Sequence, residues 1–219
     1  MEEAKRVDLK ESFVWGLEIP DNHPSVNSKN PFLGRNQWPG EMPELKNQLY
    51  PFFEAGLQCG RDLMRAFALG MGIPEESFTK NLNEPIARGS IIYYPPQSPD
   101  MGETQFGVAP HTDYGCLTLL FTEGDPGLEI KTINGNWEKI FSKKGDIIVN
   151  FGDMLQLWSN NQVKATQHRV IGTNKRRFSI PFFFNPRHDT IIKKNINKPH
   201  VLAGDYLAYK YDTTYRHKQ

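Results

Sequence analysis

From Pro43 to Met71 the apolar residues Leu45, Leu49, Phe52, Phe53, Leu57, Leu63, Met64, Phe67 and Met71 recur at spacings of three and four. That is the period of one face of an α-helix, so this stretch reads as a long amphipathic helix packed on something larger. Pro51 lacks an amide proton and crowds the preceding turn, which implies either a kink or a new first turn. Gly70, Gly72 and Pro74 stop the helix. A short second helix begins at Pro74-Glu75-Glu76-Ser77-Phe78, with acidic residues in the first turn where the helix dipole favours them.

After Asn83 the pattern changes to short strands. The alternation and the β-branched and aromatic content predict strands at Ser90 to Tyr94, Gln105 to Ala109, Cys116 to Thr122, Leu128 to Thr132, Trp137 to Ile140, Asp146 to Phe151, Val163 to Ile171, Arg177 to Phe184 and Tyr206 to Tyr209. Met154 to Trp158 reads as a short helix between two of them. Gly124-Asp125-Pro126-Gly127, Asn134-Gly135 and Gly172 with Asn174 supply the turns, and Asn134-Gly135 is the firmest hairpin signal. Many short strands at such spacing predict two sheets closed on each other, a jelly roll, here mainly β with helices and one long packing helix.

The first 42 residues carry little periodicity. Ser12 to Glu18 could form a short strand, whereas Pro20, Pro24, Pro31 and Pro39 forbid long helices between Ile19 and Gly40 and make that segment a covering loop. The expected organisation is therefore an N-terminal loop and helical region, 1–84, packed on a jelly-roll core, 85–219, as one structural domain.

Composition narrows the function. A net charge of +1 with mixed signs argues against a nucleic-acid surface, and Lys175-Arg176-Arg177 is only a local basic cluster. Two cysteines, Cys59 and Cys116, fit no metal or redox spacing, which makes a reduced, cytoplasmic setting the expectation. No stretch approaches the length of a membrane helix, so no membrane role is expected.

The candidate chemistry lies in His111-Thr112-Asp113. An imidazole and a carboxylate two apart in an extended segment project to the same side and can share one metal. With His168 they make two histidines and a carboxylate, the ligand set of non-haem Fe(II) oxygenases. The plain alternative is that His111 caps a strand, Asp113 sits in a turn with Gly115, and His168 is an ordinary strand histidine. Asp146, at the head of an expected strand, and Asp153 could be proposed as further ligands but are better read without that role, and His23, His188, His200 and His217 read as surface histidines.

The surroundings of these residues carry a resemblance. Pro110 to Leu120, Tyr93-Tyr94-Pro95-Pro96, Gln167-His168-Arg169-Val170 and Arg177-Phe178-Ser179 together resemble the blocks of the isopenicillin N synthase-like family of 2-oxoglutarate and Fe(II)-dependent oxygenases. The resemblance covers about residues 11 to 216 and implies a double-stranded β-helix. It also implies that His111, Asp113 and His168 bind Fe(II), that Arg177 and Ser179 anchor the far carboxylate of 2-oxoglutarate, and that O2 is the second cosubstrate. Arginine's planar fork suits bidentate carboxylate binding, and Ser179, two residues on, faces the same way. Tyr94 matches a tyrosine that hydrogen-bonds the same carboxylate, or else is a packed strand aromatic. Many members carry asparagine two residues before that tyrosine, where this chain has Ile92.

The implied activity is oxidation, most commonly hydroxylation, of a small organic substrate with release of succinate and CO2. Two other readings stand beside it: an Fe(II)/O2 oxidase that does not use 2-oxoglutarate, and a truncated, non-catalytic jelly-roll binding protein. Trp38, Phe106 and Phe183 are expected at the cavity or its mouth, with Trp38 also readable as a packed lid aromatic. Family members normally carry a further N-terminal segment ahead of the position matching Asp8 to Pro20. Its lack here predicts an uncovered sheet edge and an exposed helix stripe around Phe52, Leu57 and Met64, a surface open to self-association.

Overall fold

The structure, a computed structural model, describes residues 8–20, 22–23, 31–98, 105–124 and 126–215. Its elements in chain order are β1 (Glu11–Gly16), α1 (Leu45–Gly70), α2 (Glu76–Thr79), β2 (Ala87–Tyr94), β3 (Phe106–His111), β4 (Leu117–Thr122), β5 (Leu128–Lys131), β6 (Trp137–Lys139), β7 (Ile147–Phe151), α3 (Asp153–Trp158), β8 (His168–Ile171), β9 (Arg177–Phe184), β10 (Ile191–Lys193), β11 (Val201–Leu202) and α4 (Ala203–Tyr215). A five-stranded sheet in the order β1-β2-β9-β4-β7 faces a four-stranded sheet in the order β3-β8-β5-β6, and β10 and β11 form a small ribbon. Neighbouring strands are antiparallel throughout both large sheets. This is the jelly roll that the spacing of the strands predicts.

Strand β9 shows how one sequence serves two cores. Its odd residues Arg177, Ser179, Pro181 and Phe183 line the cavity between the sheets, while Phe182 and Phe184 are fully buried on the opposite face. That opposite face meets α1. Phe53 packs edge-on to Phe182 with ring centroids 5.2 Å apart, and Phe52 packs likewise on Phe121 at 4.8 Å. Gly56 and Gly60, one helical turn apart, open the helix surface: a Cβ on either would come within 2.9 Å of Phe182 or 2.7 Å of Phe184. Phe53, Leu57, Met64 and Ala68 complete the buried stripe, as the three-and-four spacing requires. The inner core between the sheets is smaller, formed by Tyr94, Leu120, Leu128 and Val170.

The helix runs through Pro51 without a break and ends as its glycines imply. Gly72 adopts the left-handed conformation at φ +68, with Ile73 N–H donating to Ala68 O at 3.0 Å and Gly72 N–H to Leu69 O at 3.0 Å.

Several expectations are corrected. Tyr206 to Tyr209 is not a strand but part of α4: Ala203 and Leu207, four apart, are the buried positions, and aromatic richness disguised helical spacing as β content. The strand expected from Val163 begins only at His168, and β10 and β11 were not anticipated. The helix stripe around Phe52, Leu57 and Met64 is not exposed, because β4 and β9 cover it. Of the proposed covering loop from Ile19 to Gly40, residues 21 and 24–30 lie outside the described residues, as do Asp125 and His217. No helix among the described residues is long and apolar enough to cross a membrane.

Candidate metal centre and anion pocket

His111 ends β3 and His168 opens β8, and the two are directly paired across the antiparallel ladder. Opposed residues of an antiparallel pair project to the same face, so strand register brings together two imidazoles far apart in sequence. Their ring centroids are 4.3 Å apart. Asp113 follows β3 directly and is 8 % exposed, with Oδ1 lying 3.8 Å from His111 Nε2 and 3.7 Å from His168 Nε2. The three ligand atoms all fall within 4.8 Å of one another, a cluster able to hold one metal ion.

The outer contacts of these side chains orient them. His111 Nδ1 lies 2.8 Å from Ala109 O and His168 Nδ1 lies 3.1 Å from Thr166 O. A carbonyl only accepts, so each ring carries its proton on Nδ1 and turns the Nε2 lone pair inward. Asp113 Oδ2 accepts a 2.7 Å hydrogen bond from Thr118 Oγ1. Burial, and then the neighbouring His168, lowers the pKa of His111, with the charge of Lys10 adding a smaller push. The neutral, ligating form of the ring is thereby favoured.

The loop carrying Asp113 is pinned from below. Asp153 N–H donates to Asp113 O at 2.8 Å, Gly152 N–H to Cys116 O at 3.0 Å, and Asn185 Oδ1 accepts the Cys116 N–H at 2.8 Å. A Cβ at Gly115 would lie 2.0 Å from Asn185 Oδ1, so glycine is what lets the loop seat. Asp153 itself pairs with Lys210 at 2.6 Å, and Asp146 Oδ2 accepts the Lys143 N–H at 2.7 Å. Neither side chain joins the triad; Asp153 opens α3.

The same cavity, of about 100 Å³, is lined by His111, Asp113 and His168 at one end and by Tyr94, Arg177 and Ser179. Tyr94 pairs with Arg177 across β2 and β9, and Ile92 with Ser179, so the four make one patch of wall. Arg177 is 2 % exposed, its guanidinium stacks 4.8 Å from the Tyr94 ring, and none of its three side-chain nitrogens has a hydrogen-bond partner. Ser179 Oγ donates to Tyr94 Oη at 3.4 Å. A buried cation with three unanswered donor atoms is costly unless an anion completes it.

Of the aromatics expected at the cavity only Phe183 lines it. Trp38 packs on Phe13 and Tyr50, at 5.9 and 6.2 Å, and Phe106 lies under the guanidinium of Arg169. His23 lies 3.7 Å from Glu84, His188 packs on Phe32 and His200 Nδ1 accepts the Asn195 N–H, all away from the cavity lining. Sequence reasoning passed over Thr118, Asn150 and Lys10, which also line the cavity. Alternation in β4 and the lone amide in the apolar run of β7 were the available signals for the first two.

The profile of the 2OG-Fe(II) oxygenase superfamily matches residues 89–186, a span holding every residue of the triad and of the Arg177 patch. A 2-oxoglutarate-Fe(II) type oxidoreductase, hxnY, of Emericella nidulans is 34% identical over 193 residues, covering 85% of this chain and 55% of its own length. A homoarginine-6-hydroxylase of Glycine max is 33% identical over 199 residues, covering 83% of this chain and 60% of its own. The crystal structure of a full-length Neurospora crassa protein in complex with alpha-KG and thymine superposes with a TM-score of 0.83 at 29% identity, over 96% of this chain and 67% of that one. The chain spans little more than half the length of the first curated relatives it matches. In its sequence blocks, its fold and these matches, the chain is similar to the 2OG-Fe(II) oxygenase superfamily.

Proposed function

We propose that this chain carries the site of an Fe(II)- and 2-oxoglutarate-dependent dioxygenase that oxidises, most simply by hydroxylation, a small organic substrate with release of succinate and CO2. The observation that carries this reading is Arg177, a buried guanidinium without a hydrogen-bond partner, in the cavity that also holds the two-histidine, one-carboxylate cluster. A dicarboxylate that chelates a metal at one end and needs a fixed cation at the other fits that pair of features.

The residues divide the work accordingly. His111 Nε2, Asp113 Oδ1 and His168 Nε2 would hold the ion, a donor set suited to Fe(II). Arg177 binds the far carboxylate of 2-oxoglutarate through its fork, Ser179 adds a hydroxyl, and Tyr94 supplies both a ring for the guanidinium to stack on and a hydroxyl beside Ser179. Ile92, beside Ser179 on the neighbouring strand, gives an apolar wall instead of a polar contact. Leu120, Leu128 and Val170 give the cavity apolar walls, and a low-dielectric surround strengthens each charged contact within it. Bound Fe(II) would supply the redox chemistry that couples O2 and 2-oxoglutarate to oxidation of a C–H bond.

We also infer that 1–84 and 85–219 form one unit, because α1 and β9 share a single buried core, and that the chain acts in the cytoplasm, given two unpaired cysteines. The decisive experiment is anaerobic addition of Fe(II) and 2-oxoglutarate, followed by the weak visible charge-transfer band of the chelate, with wild type and Arg177→Lys compared. The band should form with wild type, and the variant should need far more 2-oxoglutarate while binding Fe(II) unchanged. Turnover without succinate would instead establish the oxidase reading.

A further inference from the structure

The segment before β1 crosses from one sheet to the other. Glu11 pairs with Tyr93 at the edge of the five-stranded sheet, while Leu9 N–H donates to Phe106 O at 3.1 Å and Asp8 Oδ1 accepts the Ala109 N–H at 3.0 Å, both in β3 of the facing sheet. Residues 8–10 therefore bridge the seam between β2 and β3. Lys10 is carried with them into the cavity wall, on the same lining as His111 and Val108.

Among the described residues lining the cavity, Lys10 and Arg177 are the two side chains with a fixed positive charge. Asp113 is the carboxylate there, and it is engaged by Thr118 and turned toward the histidines. Asp8 is not a lining residue: its Oδ2 forms a loose ion pair with Lys10 Nζ at 3.7 Å, beyond hydrogen-bond range, and its Oδ1 accepts the Ala109 N–H. With Arg177 committed to a carboxylate at the deep end, the ammonium of Lys10 stays available at a different point of the wall, its side chain about a third exposed to solvent at 31%. The lining of the same cavity also includes the apolar side chains of Val108, Ile92 and Phe183.

We propose that Lys10 is a specificity-determining residue that selects primary substrates bearing an anionic group, a carboxylate in the simplest case, with their apolar part against Val108 and Phe183. The proposal rests on the reading of Arg177 as the 2-oxoglutarate anchor. It assigns substrate class through charge: the lysine is a point cation with three donors, which suits a carboxylate in any orientation. A neutral amide of the same shape would add no counter-charge to that of Asp8, 3.7 Å away and outside the cavity lining.

The test uses the whole chain loaded with Mn(II) and saturating 2-oxoglutarate. Monocarboxylates from butyrate to phenylacetate are titrated beside their primary amides, with thermal shift and calorimetry as readouts. Wild type should bind at least one acid, and bind it about ten- to a hundredfold more tightly than its amide, the range expected of one charge-assisted hydrogen bond. Lys10→Met should abolish that preference and Lys10→Arg should keep it, while affinity for 2-oxoglutarate stays the same in all three. Equal binding of acids and amides by wild type, an undiminished preference in Lys10→Met, or no acid bound at all would overturn the proposal. Failure of wild type to bind 2-oxoglutarate would instead overturn the underlying reading of Arg177, and loss of 2-oxoglutarate in Lys10→Met would reassign Lys10 to the cosubstrate.

Discussion

Thr118 Oγ1 donates a 2.7 Å hydrogen bond to Asp113 Oδ2, and both side chains are buried, at 3 % and 8 % exposure. One carboxylate oxygen is thereby occupied, and the other is left facing the two histidines. The geometry prepares Asp113 to ligate through a single oxygen. Thr118→Val keeps the shape and removes the donor, so divalent-metal affinity should fall about 10- to 100-fold, the usual cost of losing such an outer partner. Thr118→Ser should recover most of it. Equilibrium dialysis with Mn(II) reads the difference, and an unchanged affinity in the valine variant would remove Thr118 from the account.

The triad itself makes a sharper statement. His111→Ala or Asp113→Ala should abolish stoichiometric binding of Fe(II) or Mn(II) while leaving the circular dichroism spectrum intact, because neither residue belongs to the core beneath α1. Full metal occupancy in the double variant is the result that would end the assignment.

Arg177 couples function and stability with opposite signs. A buried charge without a hydrogen-bond partner destabilises the unliganded fold, so Arg177→Met should stabilise the ligand-free chain by about 1–3 kcal/mol and raise its melting temperature. The same change should remove the stabilisation that wild type gains from added 2-oxoglutarate. Differential scanning fluorimetry with and without 2-oxoglutarate measures both; a variant that melts lower and still responds to the dicarboxylate contradicts the idea.

Gly56 and Gly60 are predicted to be required for size rather than flexibility, since each has a phenyl ring where a Cβ would sit. Either glycine to alanine should cost about 1–3 kcal/mol through overpacking. Gly70, on the same helix with nothing within 4 Å, serves as the control, and Gly70→Ala should be neutral or slightly stabilising. Urea denaturation of the three variants separates packing from propensity.

Much of this molecule is legible along the chain. The helix face from Phe53 to Ala68, its stop at Gly72, the hairpin at Asn134-Gly135 and the alternation of β9 are local patterns set by backbone geometry, and they lie where the residues imply. The misreadings are also local in origin. Tyr206-Leu207-Ala208-Tyr209 has strand-like composition, and only the packing of Ala203 and Leu207 against the core decides for a helix.

The linear order of residues settles which side chains can share a face, because a strand alternates every two residues and a helix returns every three or four. On that basis it put His111 beside Asp113 and Ser179 beside Arg177, while the place of His168 with them and the anchoring role of Arg177 and Ser179 came from the resemblance of their blocks to a known family. Pairing is a different matter. That His111 faces His168, that Arg177 lies under Tyr94 with no hydrogen-bond partner, that Thr118 holds Asp113, and that Lys10 enters the cavity across the seam of two sheets all depend on register between strands distant in sequence. Register is decided by the burial of whole faces at once, a sum over both cores that no local pattern contains.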